Sequence, residues 1–152
     1  SHAVAGICPT TEANLGDGIF PTTEFLREKG TFAIGSDSHI SVNPIEELRW
    51  LEYVQRLNKQ QRAILADTQQ ASVGQNLWQR AALGGAQSTN SNTGELAIGK
   101  QADLLVLDLQ QTRLFAHSKQ HLLDSMIFAS QQHPLQQQSG DAFAELLAKL
   151  SA

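Results

Sequence analysis

A single cysteine, Cys8, occurs in 152 residues, so no internal disulfide can form and a reducing compartment, by default the cytoplasm, is expected. Aromatic residues are only 6% of the chain, which leaves Leu, Ile, Val and Ala to build any core. No apolar run approaches the ~20 residues that a membrane span requires. The opening residues Ser1–His2–Ala3 show neither the basic region nor the apolar core of a secretory signal. Positive charge is also scarce. Lys and Arg number 11 against 15 Asp and Glu, a formal net charge of −4, so a nucleic acid or an anionic membrane gains no electrostatic support as a partner. No internal repeat and no heptad array is present. The balance that remains, 41% hydrophobic and 17% charged, is that of a soluble globular chain, with room for one domain or parts of two.

The apolar run Ala3–Cys8, closed by Pro9, has the length and terminator of a buried strand. From Pro9 to Pro21 the text is PTTEANLGDGIFP, rich in turn residues, and reads as a loop. Thr23–Lys29 reads as a short helix stopped by Gly30, and Thr31–Gly35 as a second buried strand. Asn43 is a good N-cap and Pro44 suits the first helical position. Glu46 and Glu47 complement the dipole of the helix that follows, which runs to about Asn58. Its stripe is Ile45, Leu48, Leu51 and Val54, widened by Trp50, Tyr53 and Leu57, with Glu52 and Arg56 paired at i, i+4 on the outer side.

Further helix is expected over Gln60–Ala66, and from Val73, capped by Ser72, to Leu83, where Gly84–Gly85 stops it. Gly94–Lys100 reads as strand and turn, Asp103–Asp108 as a strand, and His121–Ala129 and Asp141–Leu150 as helices. The order of strands and helices predicts an α/β architecture. Parallel strands joined through helices fit a segment of a β/α barrel, and an open sheet equally well.

The chemistry concentrates in Gly35–Ser36–Asp37–Ser38–His39, a polar cluster that ends an apolar strand. At the C-terminal mouth of a barrel the Asp37 carboxylate would be placed to bind a divalent metal and to take a proton from the water that the metal acidifies. The same residues also suit a plain turn and helix cap. The loop Cys8–Gly18 follows the first strand and would line the same mouth, with Thr11, Glu12 and Asn14 available either to a polar substrate or to turn backbone. Cys8, in an apolar run before proline, reads as a small buried residue rather than a nucleophile. His2 has no assignable role. His117, His121 and His133 lie in a Gln-rich tail and read as surface residues, although His117 and His121 could meet across one helical turn.

Three stretches together resemble the amidohydrolase superfamily, in its subgroup of deaminases and chlorohydrolases. They are CPTTEANLGDGIFP, GSDSH, and GELAIGKQADLLVLD. In the first, Thr11 and Glu12 stand where related deaminases have Ser-Asn, and Asn14 comes two residues later. The second is similar to the end of the eighth barrel strand, and the third to a small β-sandwich carried beside the barrel. The wording of CPTTEANLGDGIFP with GSDSHISVNPIEELRWLEYVQRL is particularly like the formimidoylglutamate deiminases.

The resemblance implies strands 7 and 8 of a (β/α)8 TIM barrel over residues 1–90, part of the β-sandwich over 91–112 and a helical tail over 113–152. It implies a zinc-dependent hydrolase of the C–N bond of formiminoglutamate, in histidine degradation, active as a homodimer. Asp37 would be the catalytic and Zn²⁺-binding carboxylate, with Ser38, His39, Glu12 and Asn14 near the substrate. The family's His-x-His pair, its fifth- and sixth-strand histidines and its general acid are not in this sequence, which on its own is expected to be inactive. Where the family usually has a Val-rich strand pair, the chain passes straight to SGDAFAELLAKL, so a segment between about His133 and Ser139 is expected to be lost, disordered or deleted. Two other readings stay open: a different substrate within the superfamily, and a non-catalytic interaction module.

Overall fold

The computed structural model describes residues 2–67, 72–107, 119–129 and 135–137. Strand β1 (Val4–Ile7) leads into α1 (Pro9–Leu15) and α2 (Thr22–Arg27), and then into β2 (Thr31–Ile34). The two strands pair in parallel, Val4 opposite Thr31 through Ile7 opposite Ile34, and Gly35 N–H extends the ladder to the Ile7 carbonyl. A parallel pair needs a crossover on one side of the sheet, and α1 and α2 supply it. The long helices α3 (Pro44–Lys59) and α4 (Val73–Thr89) follow. The short β3 (Leu105–Leu107) comes next, then α5 (Leu122–Phe128), entered through a 3₁₀ turn, and β4 (Leu135–Gln137). β3 and β4 pair antiparallel. Within the stretch near 133–139, where a segment is expected to be lost, disordered or deleted, residues 135–137 form the strand partner of β3. The helix expected over 141–150 lies outside the described residues.

The core joins Ile7 and Phe32 of the sheet to Ile45, Leu48 and Leu51 of α3, Leu65, Val73 and Leu77, and Met126 and Ile127 of α5. Tyr53 stacks on Phe128 with ring centroids 5.7 Å apart, and the Arg56 guanidinium lies over both rings. Helix α3 starts as its sequence dictates, with Asn43 Oδ1 accepting from the N–H groups of Ile45 and Glu46.

Several expectations are corrected. Residues 9–15 are helical, not loop: Pro9 occupies the first helical turn, the Glu12 carboxylate accepts from Cys8 N–H, and Gly16 ends the helix at φ 73. Helix α2 is stopped by Lys29 in the left-handed region, with Gly30 N–H reaching back to the Phe25 carbonyl. The stripe of α3 is rotated from its expected place. Glu47, Glu52 and Gln55 are buried beside Ile45, Leu48 and Leu51, whereas Leu57 is 74% exposed and Trp50 is also outside. Residues 60–66 form no helix. Gln60 and Ala63 take positive φ, and the segment's N–H groups at Ile64 and Leu65 go to the Glu52 carboxylate, at 3.0 and 2.9 Å, with the Leu65 carbonyl accepting from Asn76 Nδ2. The Gly94–Lys100 segment is turn without strand.

Gly84–Gly85 does not stop α4, which continues to Thr89 and ends at left-handed Asn90. The reason for Gly84 is proximity: a Cβ there would lie 1.8 Å from the Phe32 carbonyl oxygen, so only a bare backbone lets α4 cross β2 this closely. At Gly85 an added Cβ meets nothing within 4 Å. The substitution Gly84→Ala is expected to cost about 2 kcal/mol of unfolding free energy, overpacking of ~3 offset by ~1 of helix propensity. Gly85→Ala is expected to stabilise by up to about 1 kcal/mol. Paired denaturant titrations of the two variants check this.

Candidate functional site

Both parallel strands end on the same side, and each runs directly into polar residues. After β1 come Cys8, Thr10, Thr11 and Glu12, at the N-terminal end of α1; after β2 comes the turn Ser36–His39, then α3. His39 N–H closes this turn on the Ser36 carbonyl at 2.9 Å. Asp37, its first central residue, has φ 45. That left-handed backbone is unfavourable for a residue with a Cβ, though Asp tolerates it better than most. Such strain persists only where the surroundings enforce it.

The enforcing contacts come from α1 and α3. Buried Thr11 donates its hydroxyl to the Ser36 carbonyl at 2.7 Å and accepts from His39 N–H at 3.0 Å. One residue earlier, Thr10 gives both its N–H and its hydroxyl to the carboxylate of Glu47, which is itself buried. His39 Nδ1 accepts from Ser41 N–H at 3.1 Å, so in the neutral imidazole the proton is on Nε2. Ser41 in turn hydrogen-bonds Glu46 through its hydroxyl.

The sequence-predicted site residues thus fall into two groups. Asp37, Ser38 and His39 share one turn, with the first two exposed and His39 partly buried. The Asp37 carboxylate accepts no hydrogen bond among the described residues. Glu12 is half-buried and uses one carboxylate oxygen to cap its own helix on Cys8 N–H. Asn14 is exposed near the end of α1. Burial pushes the Cys8 thiol above its ordinary value, and the negative charges of Asp37, Glu12 and Glu47 push it further. That direction disfavours the thiolate, the form in which a cysteine acts as a nucleophile. Sequence reading gave Glu47 only a helix-dipole role. Its position four residues before Leu51, on the apolar face, is the signal that it points inward.

A zinc site takes three or four protein ligands. Asp37 fits as one, an unengaged carboxylate at a strand end. Among the described residues no three His, Cys, Asp or Glu side chains form a group able to hold a metal, so these residues alone do not complete a site. His121 is exposed and meets Asp124 at 3.2 Å; His117 and His133 lie outside the described residues. A cleft of about 480 Å³ opens at the other end of β2, around Gly30, Arg80 and Lys100. Both cations are already paired there, Arg80 with Asp67 and Lys100 with Glu95.

A profile of the Amidohydrolase family matches residues 1–137. The chain belongs to the amidohydrolase family. Over 129 residues, 85% of the chain, it is 50% identical to a curated formimidoylglutamate deiminase of Pseudomonas aeruginosa. A 5-methylthioadenosine/S-adenosylhomocysteine deaminase of Pyrococcus abyssi is 28% identical over 123 residues, 81% of the chain. In each case the chain spans 28% of the relative's length. A crystal structure of an amidohydrolase from Brucella melitensis superimposes with a TM-score of 0.75 at 36% identity, covering 99% of this chain and 37% of that one. The chain's parallel strands and helical crossover fit the fold of the amidohydrolase superfamily. Among the described residues no helix is long and apolar enough to cross a membrane.

Proposed function

We propose that this amidohydrolase chain provides strands 7 and 8 of a (β/α)8 barrel, with part of a β-sandwich over residues 91–112. The barrel belongs to a cytoplasmic, zinc-dependent, homodimeric enzyme that hydrolyses N-formimino-L-glutamate to N-formyl-L-glutamate and ammonia in histidine degradation. The observation that carries this reading is the 50% identity to a formimidoylglutamate deiminase, far above the 28% to the nucleoside deaminase. The free carboxylate at the end of β2 supports it.

In this reading Asp37 would be one of the residues that hold the metal, and its carboxylate would carry a proton from water to the leaving nitrogen. The new bond is from the water oxygen to the formimino carbon; the bond that breaks joins that carbon to the departing nitrogen, which leaves as ammonia. Zn²⁺, when bound, supplies the Lewis acid that lets water lose its proton near neutral pH. Ser38, His39 and Asn14 stand at the rim, where their polar groups can orient the substrate. His39 offers its Nε2–H as a donor, because Nδ1 is engaged by Ser41. Glu12 acts mainly by fixing the start of α1.

The test is ammonia release by the full product of the gene, loaded with zinc, from N-formimino-L-glutamate and from 5-methylthioadenosine. Turnover of the first alone is expected. Turnover of the second alone would move the chain to another deaminase activity. A stable product that binds no metal and turns over neither would favour the interaction module.

A further inference from the structure

The geometry points to Thr11 as a positioning residue that holds the Asp37 turn in its reactive shape. This rests on the reading of Asp37 as the metal-binding carboxylate. A threonine hydroxyl has one proton to give and lone pairs to receive. Here the proton goes to the Ser36 carbonyl and a lone pair takes the His39 N–H, so the two bonds bracket Asp37 on either side. Thr11 is 3% exposed, so water has poor access to replace either bond.

The hydroxyl is itself held in place. Thr11 is in the first turn of α1, and its neighbour Thr10 is tied by N–H and hydroxyl to Glu47 in the first turn of α3. Helix α3 begins just beyond the Asp37 turn, capped by Asn43. The chain thus runs from the Asp37 turn into α3, from α3 through Glu47 to α1, and from α1 through Thr11 back to the turn. Removing the Thr11 hydroxyl opens this loop at the point nearest Asp37, while Thr10, Glu47 and the apolar core stay as they are. The left-handed backbone of Asp37 then loses two of the three hydrogen bonds that enforce it, the His39-to-Ser36 bond remaining. Catalytic geometry is sensitive to displacements of about 1 Å, which cost on the order of 10²-fold in rate.

The test compares Thr11→Val, which keeps the shape and loses the hydroxyl, with Thr11→Ser, which keeps the hydroxyl, in the full gene product. Amide hydrogen exchange over residues 36–39 is read in the metal-free protein. The values of kcat and KM for N-formimino-L-glutamate are read after zinc loading. Thr11→Val is expected to speed exchange of the turn by about tenfold, the weight of one hydrogen bond. It is expected to lower kcat by about 10–100-fold with KM within about twofold. Thr11→Ser is expected to restore both. Unchanged exchange in Thr11→Val, or a serine variant no better than valine, would overturn the assignment. If the valine variant does not fold, Thr11→Ala against Thr11→Ser is decided by the same criteria. An Asp37→Ala enzyme with full activity would instead remove the site reading itself. The exchange measurement separates that failure from a failure of the clamp.

Discussion

Replacing Glu52 by alanine is expected to remove about 3–5 kcal/mol of unfolding free energy, a third or more of what a domain of ordinary stability possesses. The Glu52 side chain is fully buried, yet its carboxylate is completely employed. One oxygen accepts from Arg56 Nε at 2.6 Å and from Ile64 N–H, and the other accepts from Leu65 N–H. Truncation strands two amide donors, of which that of Leu65 is deeply covered; a buried donor left without a partner costs ~1–3 kcal/mol. Arg56 loses less, because it is a quarter exposed and can turn to water. The damage then spreads, since Leu65 is a core residue and its carbonyl anchors Asn76 of α4. Glu52→Gln keeps the shape and an acceptor oxygen but presents an amide group to an N–H donor, so an intermediate loss is expected. Leu57→Ala, on the exposed side of the same helix, is expected to change stability by less than about 0.5 kcal/mol. Urea titrations of the three variants give the comparison. Equal losses for Glu52→Ala and Leu57→Ala would show that the carboxylate does not organise residues 60–66.

The error over Glu52 shows what one sequence can and cannot disclose. The i, i+4 spacing of Glu52 and Arg56 is legible and the pair forms, but charge alone points both residues to solvent. Its inward position depends on two N–H groups 12 and 13 residues further on, which no helical periodicity reports. Local signals did well where the determinant is local. Asn43–Pro44 announced the start of α3, Ser72 that of α4, and the apolar runs gave β1 and β2. They failed where an element is fixed from a distance. Gly84 read as a helix stop because its role, letting a helix pass over the Phe32 carbonyl, belongs to tertiary packing. The segment after Cys8 reads as loop because glycines and prolines are dense across it, although Pro9 and Gly16 mark the two ends of a helix.

The site divides in the same way. A polar cluster at the end of an apolar strand was visible as GSDSH. The contacts that shape it were not, because Thr11 lies 25 and 28 residues from its partners and Thr10 lies 37 from Glu47.

For Asp37 the expected result is a separation of activity from stability. In the zinc-loaded full gene product, Asp37→Ala is expected to lower kcat for N-formimino-L-glutamate by at least 10²–10⁴-fold, the range of proton transfer alone, with loss of a metal ligand adding to it. Asp37→Asn keeps size and tolerance of a left-handed backbone but cannot hold the proton, so it is expected to be nearly as inactive. Asp37→Gly is the informative variant. Glycine takes φ 45 without the penalty of a Cβ, while its own flexibility in the unfolded chain works against folding. The relieved strain is worth about 1–2 kcal/mol and the entropic loss roughly 0.5–1, so stability is expected to stay level or rise by up to about 1.5 kcal/mol. The carboxylate is exposed and accepts no hydrogen bond among the described residues, so no structural contact offsets that gain. A residue chosen only to make a turn would give way to glycine with activity intact. An inactive Gly variant that unfolds no earlier than the parent identifies a carboxylate retained for chemistry at the expense of its backbone. A Gly or Asn variant with parental turnover would remove Asp37 from the reaction and leave Ser36–His39 as a cap for α3.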